Sequence, residues 1–333
     1  MDTKNPMLSE ESTGLAPEVI AIGCIAADLS VLGAPPEIEA GYTTFVDSIH
    51  PGLGGNPSNM ASGLAKFGRR VAVAGKVGDD ELGRMILARL RACGVDTRLL
   101  QSDGATQTST TIAIIHESGQ RNLYHYRGAN TEIGEESLRP VLAVPARLFF
   151  AGGIELLPRL RGEPIGNLLR AARQAGKVTV LDTTFDPDGE WLPAIAPALP
   201  HVDYLLASMG EAAHYAGTSS PSEVIRFFRA AGARTVLVKD GAEGCFLQEG
   251  SGFLQIHPPQ VTVLDTTGAG DNFAAGFIAG LLEELTLPDC VRLGVTCGSL
   301  STEARGGEAR YHDIGLLREM AAQLAVTRFR EES

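Results

Sequence analysis

Apolar and polar positions along the second half of the chain predict strands and helices in turn. From about residue 146, short apolar runs such as ARLFFAGG, KVTVLDTTFD and VDYLLAS are typical of buried strands. Segments with apolar positions at helical spacing, such as EPIGNLLRAARQAG and SEVIRFFRAAGA, separate most of these runs. Strands that alternate with helices of about 10–15 residues indicate βαβ units. The pattern predicts an α/β fold with a doubly wound, mostly parallel sheet flanked by helices.

Hairpin-like segments interrupt this rhythm in the N-terminal half. An apolar, β-rich run covers residues 18–31, and a helix is predicted at 56–70. The segments at about 31–50 and 106–127 alternate in strand fashion and contain turn residues. They predict a small β-sheet appended to the main sheet.

The length and composition fit one domain with short tails. The chain has 333 residues, of which 44% are hydrophobic and 20% are charged, enough to bury a sizeable core. No internal repeat or low-complexity linker marks a boundary, so we predict a single domain over residues 18–320. Residues 1–17 are predicted to form a flexible tail, and residues 321–333 a helix end and tail.

Charge and cysteine content argue against several kinds of partner. The formal net charge of −12 at pH 7 disfavours binding to nucleic acid or to anionic lipid, although a local site for a small anion remains open. No apolar run reaches the ~18–20 residues of a membrane span, and the polar N-terminus lacks the features of a signal peptide. Five scattered cysteines without a C-x-x-C pair fit a reducing compartment and buried positions. We predict a cytoplasmic protein.

The stretch QVTVLDTTGAGDNFAAGFIAG contains a turn of small residues between a predicted strand, QVTVLD, and a predicted helix. A helix start leaves about four backbone N–H groups without partners. Gly268, Ala269 and Gly270 cannot cover those donors with bulky side chains, so a phosphate could bind directly to the amides. The P-loop pattern G-x-x-x-x-G-K-S/T is absent, so this turn is not a P-loop by that signature.

Asp271 follows this turn directly. A carboxylate would repel a resting phosphate, so phosphate binding alone does not explain it. As a base, Asp271 would accept the proton of a hydroxyl while that oxygen attacks the phosphorus, and the amides would stabilise the developing charge. The alternative is that Asp271 only complements the helix dipole.

A second glycine-rich segment, PGLGGNPSNMASG, covers residues 51–63. A dinucleotide-binding interpretation is weak because Pro57 stands where the third glycine belongs and no β-rich run directly precedes the loop. Gly54 and Gly55 would instead let the backbone approach a polyhydroxy ligand. Asn59 would donate and accept hydrogen bonds there, or simply be a satisfied residue at a helix start.

Asp28 ends the first apolar run. Its carboxylate could accept hydrogen bonds from two hydroxyls of a ligand at once, or it could cap a turn.

Three segments resemble the signatures of the ribokinase, or PfkB, family of carbohydrate kinases. They are DTTGAGDNF (265–273), GGNPSN (54–59) and IGCIAAD (22–28), in the family's order and spacing. The similarity extends over about residues 18–315. The resemblance implies a doubly wound α/β domain with a small β-sheet lid at the hairpin-like segments. It also implies transfer of the γ-phosphate of ATP, with Mg²⁺, to a hydroxyl of a sugar or nucleoside.

The resemblance assigns roles to the residues already singled out. Asp271 is the implied general base, and the N–H groups of residues 268–270 form the implied anion hole for the nucleotide phosphates. The implied sugar ligands are Asp28, Gly54, Gly55 and Asn59.

Family members also carry an N-x-x-E motif near the metal and the phosphates. The segment ASMGEAAHYAG occupies that place, so Glu211 matches the glutamate and would reach Mg²⁺ through water. Ser208 replaces the asparagine, and its shorter hydroxyl cannot present both an amide donor and a carbonyl. Lys239 lies where the family often contacts the nucleotide; its head would meet a phosphate or be solvated.

Two loops complete the implied nucleotide site. Gly241 and Gly244 would form a turn that borders the nucleotide, and Gly306 lies in a loop expected near the adenine. Asp265 and the carbonyl of Thr267 match the ligands of a monovalent cation in members that use potassium. Asp265 would otherwise cap the small-residue turn.

The acceptor is less specified than the phosphate donor. Arg127, in RNLYHYRGAN, could meet a carboxylate, as a similar Tyr-Arg pair does in relatives acting on 2-keto-3-deoxygluconate. Neutral pentoses or hexoses, sugar acids and nucleosides all stay open, and an aromatic content of 6% offers few stacking partners for a base. The resemblance also implies a homodimer formed through the lid.

Two other classes of function compete with a sugar kinase. One is a ligand-binding relative that keeps the fold without turnover, which the serine at position 208 slightly favours. The other is a dehydrogenase that binds NAD at the GLGG loop, although no acidic residue follows a strand–glycine turn at the expected spacing.

Overall fold

The computed structural model describes residues 15–35, 41–116, 121–307, 311 and 313–330, and its strands form two sheets. Ten strands form the main sheet, and four form a smaller one. Numbered along the chain, the strands are β1 (Val19–Gly23), β2 (Ala26–Ala34), β3 (Ser48–Gly54), β4 (Val71–Gly78), β5 (Asp96–Asp103), β6 (Thr110–His116), β7 (Arg121–Tyr126), β8 (Leu148–Gly152), β9 (Val178–Asp182), β10 (Tyr204–Ser208), β11 (Thr235–Lys239), β12 (Cys245–Glu249), β13 (Gly252–Ile256) and β14 (Val326–Phe329).

The main sheet has the order β14-β13-β12-β11-β10-β9-β8-β1-β4-β5. Neighbouring strands from β5 through β11 run parallel, and β12, β13 and β14 continue the sheet antiparallel at one edge. The predicted mostly parallel, doubly wound sheet is confirmed. Its central strands are apolar throughout because helices cover both faces; VIAIG of β1 and LFFAG of β8 are entirely buried.

Helices flank both faces of this sheet. They are α1 (Asn56–Ala65), α2 (Glu81–Ala92), α3 (Glu135–Leu138), α4 (Glu163–Gln174), α5 (Leu192–Ile195), α6 (Met209–Ala216), α7 (Pro221–Ala230), α8 (Ala269–Leu282), α9 (Leu287–Ser301) and α10 (Ile314–Gln323). Alternate residues of β1 belong to two separate apolar cores, one with α1, α2, α8 and α9 and one with α4, α6 and α7.

The smaller sheet, which we call the lid sheet, has the order β3-β2-β6-β7. Both hairpin-like segments contribute to it, as predicted, although residues 36–40 and 117–120 lie outside the described part of the chain. Asp28 pairs with Thr111 in register, and Thr111 pairs with His125, so these three polar side chains share one face of the sheet.

The run predicted as one strand at 18–31 is split between the two sheets. β1 ends at Gly23 and β2 begins at Ala26, which places Asp28 inside the lid sheet rather than at the end of the first strand. Asn130 stabilises the break, because its side chain accepts a hydrogen bond from the N–H of Ile25 (3.3 Å) and donates to the Ile25 carbonyl (3.1 Å).

Two predictions at the antiparallel edge of the main sheet are wrong. QVTVLD (260–265) forms no strand, and Val263 and Leu264 are 58% and 62% exposed. The position beside β13 is taken instead by Val326–Phe329, which was predicted as part of a tail. The β-rich run at 260–265 therefore has no free edge beside β13 to pair with.

A third prediction also needs correction. A strand does run into the GLGG segment, because β3 begins at Ser48 and includes Gly52–Gly54, and α1 begins at Asn56. Since β3 belongs to the antiparallel part of the lid sheet, this is not the parallel strand–helix unit of a dinucleotide site.

The cysteines mostly agree with the expectation of buried positions. All five cysteines are free, and four of them are buried. Within the described ranges, no helix combines the length and the apolar character needed to cross a bilayer.

The close packing of α8 against α9 depends on glycine. A Cβ atom on Gly276 would lie 2.7 Å from the carbonyl oxygen of Leu293 and 2.6 Å from Sγ of Cys297. Because buried helices are packed at crystal-like density, the backbones would have to separate to admit a side chain.

We expect Gly276→Ala to lower the free energy of unfolding by about 1–3 kcal/mol, because its Cβ overpacks this contact. Gly210→Ala is the matched control, since a Cβ on this glycine of α6 would meet nothing within 4 Å. It should be neutral or stabilising by up to about 1 kcal/mol. Urea denaturation measures both, and equal stability of the two variants would contradict the packing role of Gly276.

Candidate active site

Polar side chains converge where the parallel strands of the main sheet end. Asp182 is the last residue of β9, Ser208 of β10 and Lys239 of β11, and these three strands are neighbours. In open α/β sheets, ligands bind at the carboxyl ends of the strands. The start of α8 lies beside the same edge, since a Cβ on Gly270 would be 3.2 Å from Nζ of Lys239.

The small-residue turn before α8 requires glycine at its first position. Gly268 has φ +73°, and a Cβ there would lie 2.4 Å from Cα of Gly307. The helix begins at Ala269, whose N–H donates to the carbonyl of Thr266 (3.2 Å). This amide is therefore already engaged within the turn. Gly270, in the first helical turn, keeps the position expected of an anion-hole donor.

Asp271 is buried, with 7% of its surface exposed, and two asparagines of α1 bind its carboxylate. Nδ2 of Asn56 donates to Oδ1 and Nδ2 of Asn59 donates to Oδ2, both at 2.9 Å. Burial raises the pKa of Asp271 to about 6, while the hydrogen bond from Asn59, the charge of Lys239 and the hydrogen bond from Asn56 oppose that rise. The helix-dipole interpretation alone does not account for a carboxylate fixed in this way.

The structure adds a second role for Asn59, which was predicted as a sugar ligand. Its Nδ2 donates to Asp271 and so orients the acid, while its Oδ1 has no hydrogen-bond partner among the described residues. The sugar-ligand role stays a prediction. Asn56 was missed altogether, although it lies three residues before Asn59 on α1, a spacing that puts both side chains on the same face of the helix.

Lys239 is neither solvated nor isolated. Its Nζ lies 2.6 Å from Oδ1 of Asp182 and 5.9 Å from the centroid of the Phe273 ring. Burial alone would lower the pKa of Lys239, but the charges of Asp182, Glu211 and Asp271 raise it, so the side chain stays an ammonium. The buried ammonium is thus held within reach of the Gly270 turn.

Asp182 was not predicted from the sequence. It is fully buried, and its Oδ2 has no hydrogen-bond partner among the described residues. Burial raises the pKa of Asp182 to about 7, although the charge of Lys239 opposes this.

Ser208 and Glu211 form a capping box at the start of α6. The Ser208 hydroxyl accepts the N–H of Glu211 (3.3 Å), and Oε2 of Glu211 accepts the N–H of Ser208 (3.4 Å). Thr183 also donates its hydroxyl to Oε2 of Glu211 (3.0 Å). The serine that replaces the family asparagine therefore keeps a local structural role.

The lid side of the site is built around Asp28. A Cβ on Gly54 would lie 2.1 Å from Oδ1 of Asp28, so only glycine leaves room for this carboxylate. Gly55 has φ +86°, and a Cβ there would lie 2.0 Å from the carbonyl oxygen of Cys24. Burial raises the pKa of Asp28 to about 7, and a hydrogen bond from Thr111 opposes that rise.

Five further predicted residues lie in tight turns or in the loop that one of these turns contacts. Gly241 and Gly244 have φ +49° and +85°, and a Cβ on Gly244 would meet the carbonyl oxygen of Ile256 at 2.0 Å. Asp265 accepts the N–H of Thr267 and the N–H of Gly306, both at 2.9 Å. The structure thus shows Asp265 capping the small-residue turn and linking it to the loop at Gly306.

Arg127 is engaged with a residue of the protein itself. Its Nη2 lies 2.7 Å from Oδ2 of Asp188, in the loop that follows β9. This partner lies 61 residues away along the chain and was not predicted from the sequence.

The doubly wound sheet and the separate lid sheet define a ribokinase-like kinase fold. Residues 18–313 match the model of the pfkB family of carbohydrate kinases. The chain belongs to this family and is a carbohydrate kinase, a phosphotransferase with an alcohol group as acceptor. The resemblance seen in the sequence is confirmed.

Individual relatives span most of the chain. A 2-dehydro-3-deoxygluconokinase of Bacillus subtilis strain 168 is 29% identical over 279 residues, covering 80% of this chain and 86% of that protein. The probable fructokinase-6, chloroplastic, of Arabidopsis thaliana is 28% identical, covering 76% and 70%. The structure of Arabidopsis thaliana ribokinase complexed with ribose and ATP has a TM-score of 0.74 at 23% identity, covering 93% of this chain and 98% of that one.

A buried acid near the site, Glu155, was not predicted from the sequence. Glu155 is fully buried after β8, where Tyr215 donates to its Oε1 (2.8 Å) and its Oε2 has no partner among the described residues. Burial raises the pKa of Glu155 to about 8.

This raised pKa predicts a pH-dependent stability. The unfolded pKa of a glutamate is about 4.3, so between about pH 4 and about pH 8 the folded protein binds more protons than the unfolded chain. Its stability therefore falls as the pH rises through this window. Between about pH 5 and about pH 8, the free energy of unfolding of Glu155→Gln should fall less than that of wild type, by on the order of 2 kcal/mol.

Denaturant unfolding at several pH values measures the effect, with the exposed Glu319→Gln as control. Parallel pH curves for wild type and Glu155→Gln would refute the account of Glu155.

Proposed function

We propose that the protein transfers the γ-phosphate of ATP to a hydroxyl, preferably a hydroxymethyl group, of a small sugar, with Asp271 as the general base. Pentoses, hexoses and sugar acids are the candidate acceptors. One observation carries the proposal: a buried carboxylate, held by two asparagine amides, stands in the first turn of α8.

Burial and hydrogen bonding suit Asp271 to this role. A base works best when its pKa lies near the working pH, and the pKa of about 6 moves the carboxylate toward that range. Asn56 and Asn59 fix both oxygens, so the carboxylate is oriented before the acceptor binds. Each oxygen has a further lone pair for the acceptor hydroxyl.

The phosphate donor would bind at the start of α8. Phosphoryl transfer depends on positioning and on stabilisation of charge, with little covalent chemistry for the protein. The first-turn amide at Gly270 and the ammonium of Lys239 would hold the phosphates, and Gly241, Gly244 and Gly306 would line the nucleotide, as the family resemblance implies. Lys239 would move part of its interaction from Asp182 to the phosphates.

The donor set fits Mg²⁺ held mainly by the nucleotide. Mg²⁺ prefers oxygen ligands and keeps several waters when it binds phosphates. Among the described residues, no group of three or more histidine, cysteine, aspartate or glutamate side chains could hold a metal ion. Glu211 would therefore hold the ion through water, and the ion would neutralise phosphate charge. For a monovalent cation such as K⁺, Asp265 and the carbonyl of Thr267 are the proposed ligands.

The acceptor would bind between the lid sheet and α1. Asp28 would accept hydrogen bonds from its hydroxyls, with Gly54 and Gly55 allowing close approach of the backbone and Arg127 nearby at the end of β7. Closure of the lid over this region would exclude water as a competing acceptor.

The outer face of the lid sheet supports the proposal of a homodimer. Ile49, Ile112, Tyr124 and Tyr126 are between 38% and 59% exposed in the single chain. The strand register places them on the face opposite Asp28. Contiguous exposed apolar residues mark interaction surfaces, and light scattering would report the oligomeric state.

We expect Asp271→Asn to lower kcat by about 100- to 10,000-fold, the usual contribution of a general base, while ATP binding is kept. Coupled-assay kinetics with a sugar panel and calorimetric titration of ATP measure the two effects. Asp289→Asn is the matched control, because Asp289 is the third residue of α9 as Asp271 is of α8. Near-normal turnover in Asp271→Asn would overturn the assignment of the base.

A further inference from the structure

Two arginines converge on one carboxylate where the lid sheet meets the loop that follows β9. Nη2 of Arg127 and Nη1 of Arg161 each lie 2.7 Å from Oδ2 of Asp188. The hydrogen bond from Arg127, more than that from Arg161, holds the pKa of Asp188 below its usual range. Arg127, which the family resemblance suggested as a partner for a ligand carboxylate, is thus paired with a carboxylate of the protein.

The position of Asp188 is built into the fold. Asp186 is buried, and its two oxygens accept the N–H of Asp188 (3.0 Å) and the N–H of Trp191 (2.6 Å). Gly189 turns the chain with φ +72°. The Arg161 side chain, only 16% exposed, also binds Glu190 at 3.2 Å. These contacts hold Asp188 at a defined point of the loop.

This loop lies next to the proposed site. It directly follows Asp182 at the end of β9, and Thr183 within it donates to Glu211. Arg127 directly follows β7 of the lid sheet. The ion pair between Arg127 and Asp188 therefore joins the lid to the carboxyl edge of the main sheet.

Negative charge already exceeds positive charge around this region. Asp28, Asp182, Glu211 and Asp271 face the single buried ammonium of Lys239 among the groups that act on one another there. An acceptor carrying a carboxylate would be repelled by these acids and would have to displace Asp188 from Arg127. A neutral polyol meets neither obstacle.

We propose that Asp188 determines acceptor specificity: by occupying Arg127, it makes the site select neutral sugars and reject sugar acids. This inference rests on the proposed kinase function and narrows its acceptor class. It differs from the activity in the name of the Bacillus subtilis relative, which is a 2-dehydro-3-deoxygluconokinase.

The test compares acceptor binding in wild type and Asp188→Asn by calorimetric titration, with Mg²⁺ and a non-hydrolysable ATP analogue present. The acceptors are neutral pentoses and hexoses together with the matching aldonic and 2-dehydro-3-deoxy acids. We expect wild type to bind its best neutral sugar at least about tenfold more tightly than any acid. In Asp188→Asn, the ratio of the affinities for acids and for neutral sugars should rise by about 10- to 100-fold. This is the contribution expected of one charge-assisted hydrogen-bonded pair.

Two further variants test the mechanism. The double variant Arg127→Gln/Asp188→Asn should lose the gain for acids, because the freed guanidinium is gone. Glu190→Gln removes a partner of Arg161 alone and should leave the preference unchanged.

Tightest binding of an acid by wild type, or an unchanged preference in Asp188→Asn, would overturn the role of Asp188. The same proteins are assayed for ATP turnover with each acceptor. Absence of turnover with every sugar would count against the kinase proposal, while the binding ratios would still decide the role of Asp188.

Discussion

The structure depends on keeping an acid charged inside the protein at the start of a helix. Transferring an unpaired carboxylate from water to the interior is costly, and the usual outcome is a raised pKa. Here burial raises the pKa of Asp271 to about 6, and two amide donors, the ammonium of Lys239 and the start of α8 limit the rise. The same features that limit this cost also orient the carboxylate.

The packing of α1 against α8 follows from this constraint. The amides of Asn56 and Asn59 reach Asp271 only if the two helices lie close together, and glycine makes that possible. A Cβ on Gly63 of α1 would lie 2.9 Å from the Cβ of Ala275 of α8. The small residues of these helices therefore help to position Asp271, although they do not contact a ligand themselves. The ammonium of Lys239, which is paired with Asp182, is a second fixed charge beside Asp271.

Local chemistry made part of this predictable from sequence. The alternating apolar pattern predicted the parallel sheet, and the small-residue turn followed by an acid predicted Asp271 at a helix start. The partners were not predictable in the same way, because they are set by tertiary structure: Asn56 lies 215 residues from Asp271, and Lys239 lies 57 from Asp182. The strand prediction for QVTVLD was wrong for a related reason. Strand propensity needs a free sheet edge, and β14 occupies the edge beside β13.

The most direct test of the central claim is a crystal structure of the complex with an ATP analogue, Mg²⁺ and a bound acceptor. We predict that a carboxylate oxygen of Asp271 lies within hydrogen-bond distance, about 2.6–3.2 Å, of the acceptor hydroxyl. The terminal phosphorus should lie on the side of the hydroxyl oxygen that faces away from Asp271. An Asp271 side chain bound only to Asn56 and Asn59, remote from both the hydroxyl and the terminal phosphate, would contradict it.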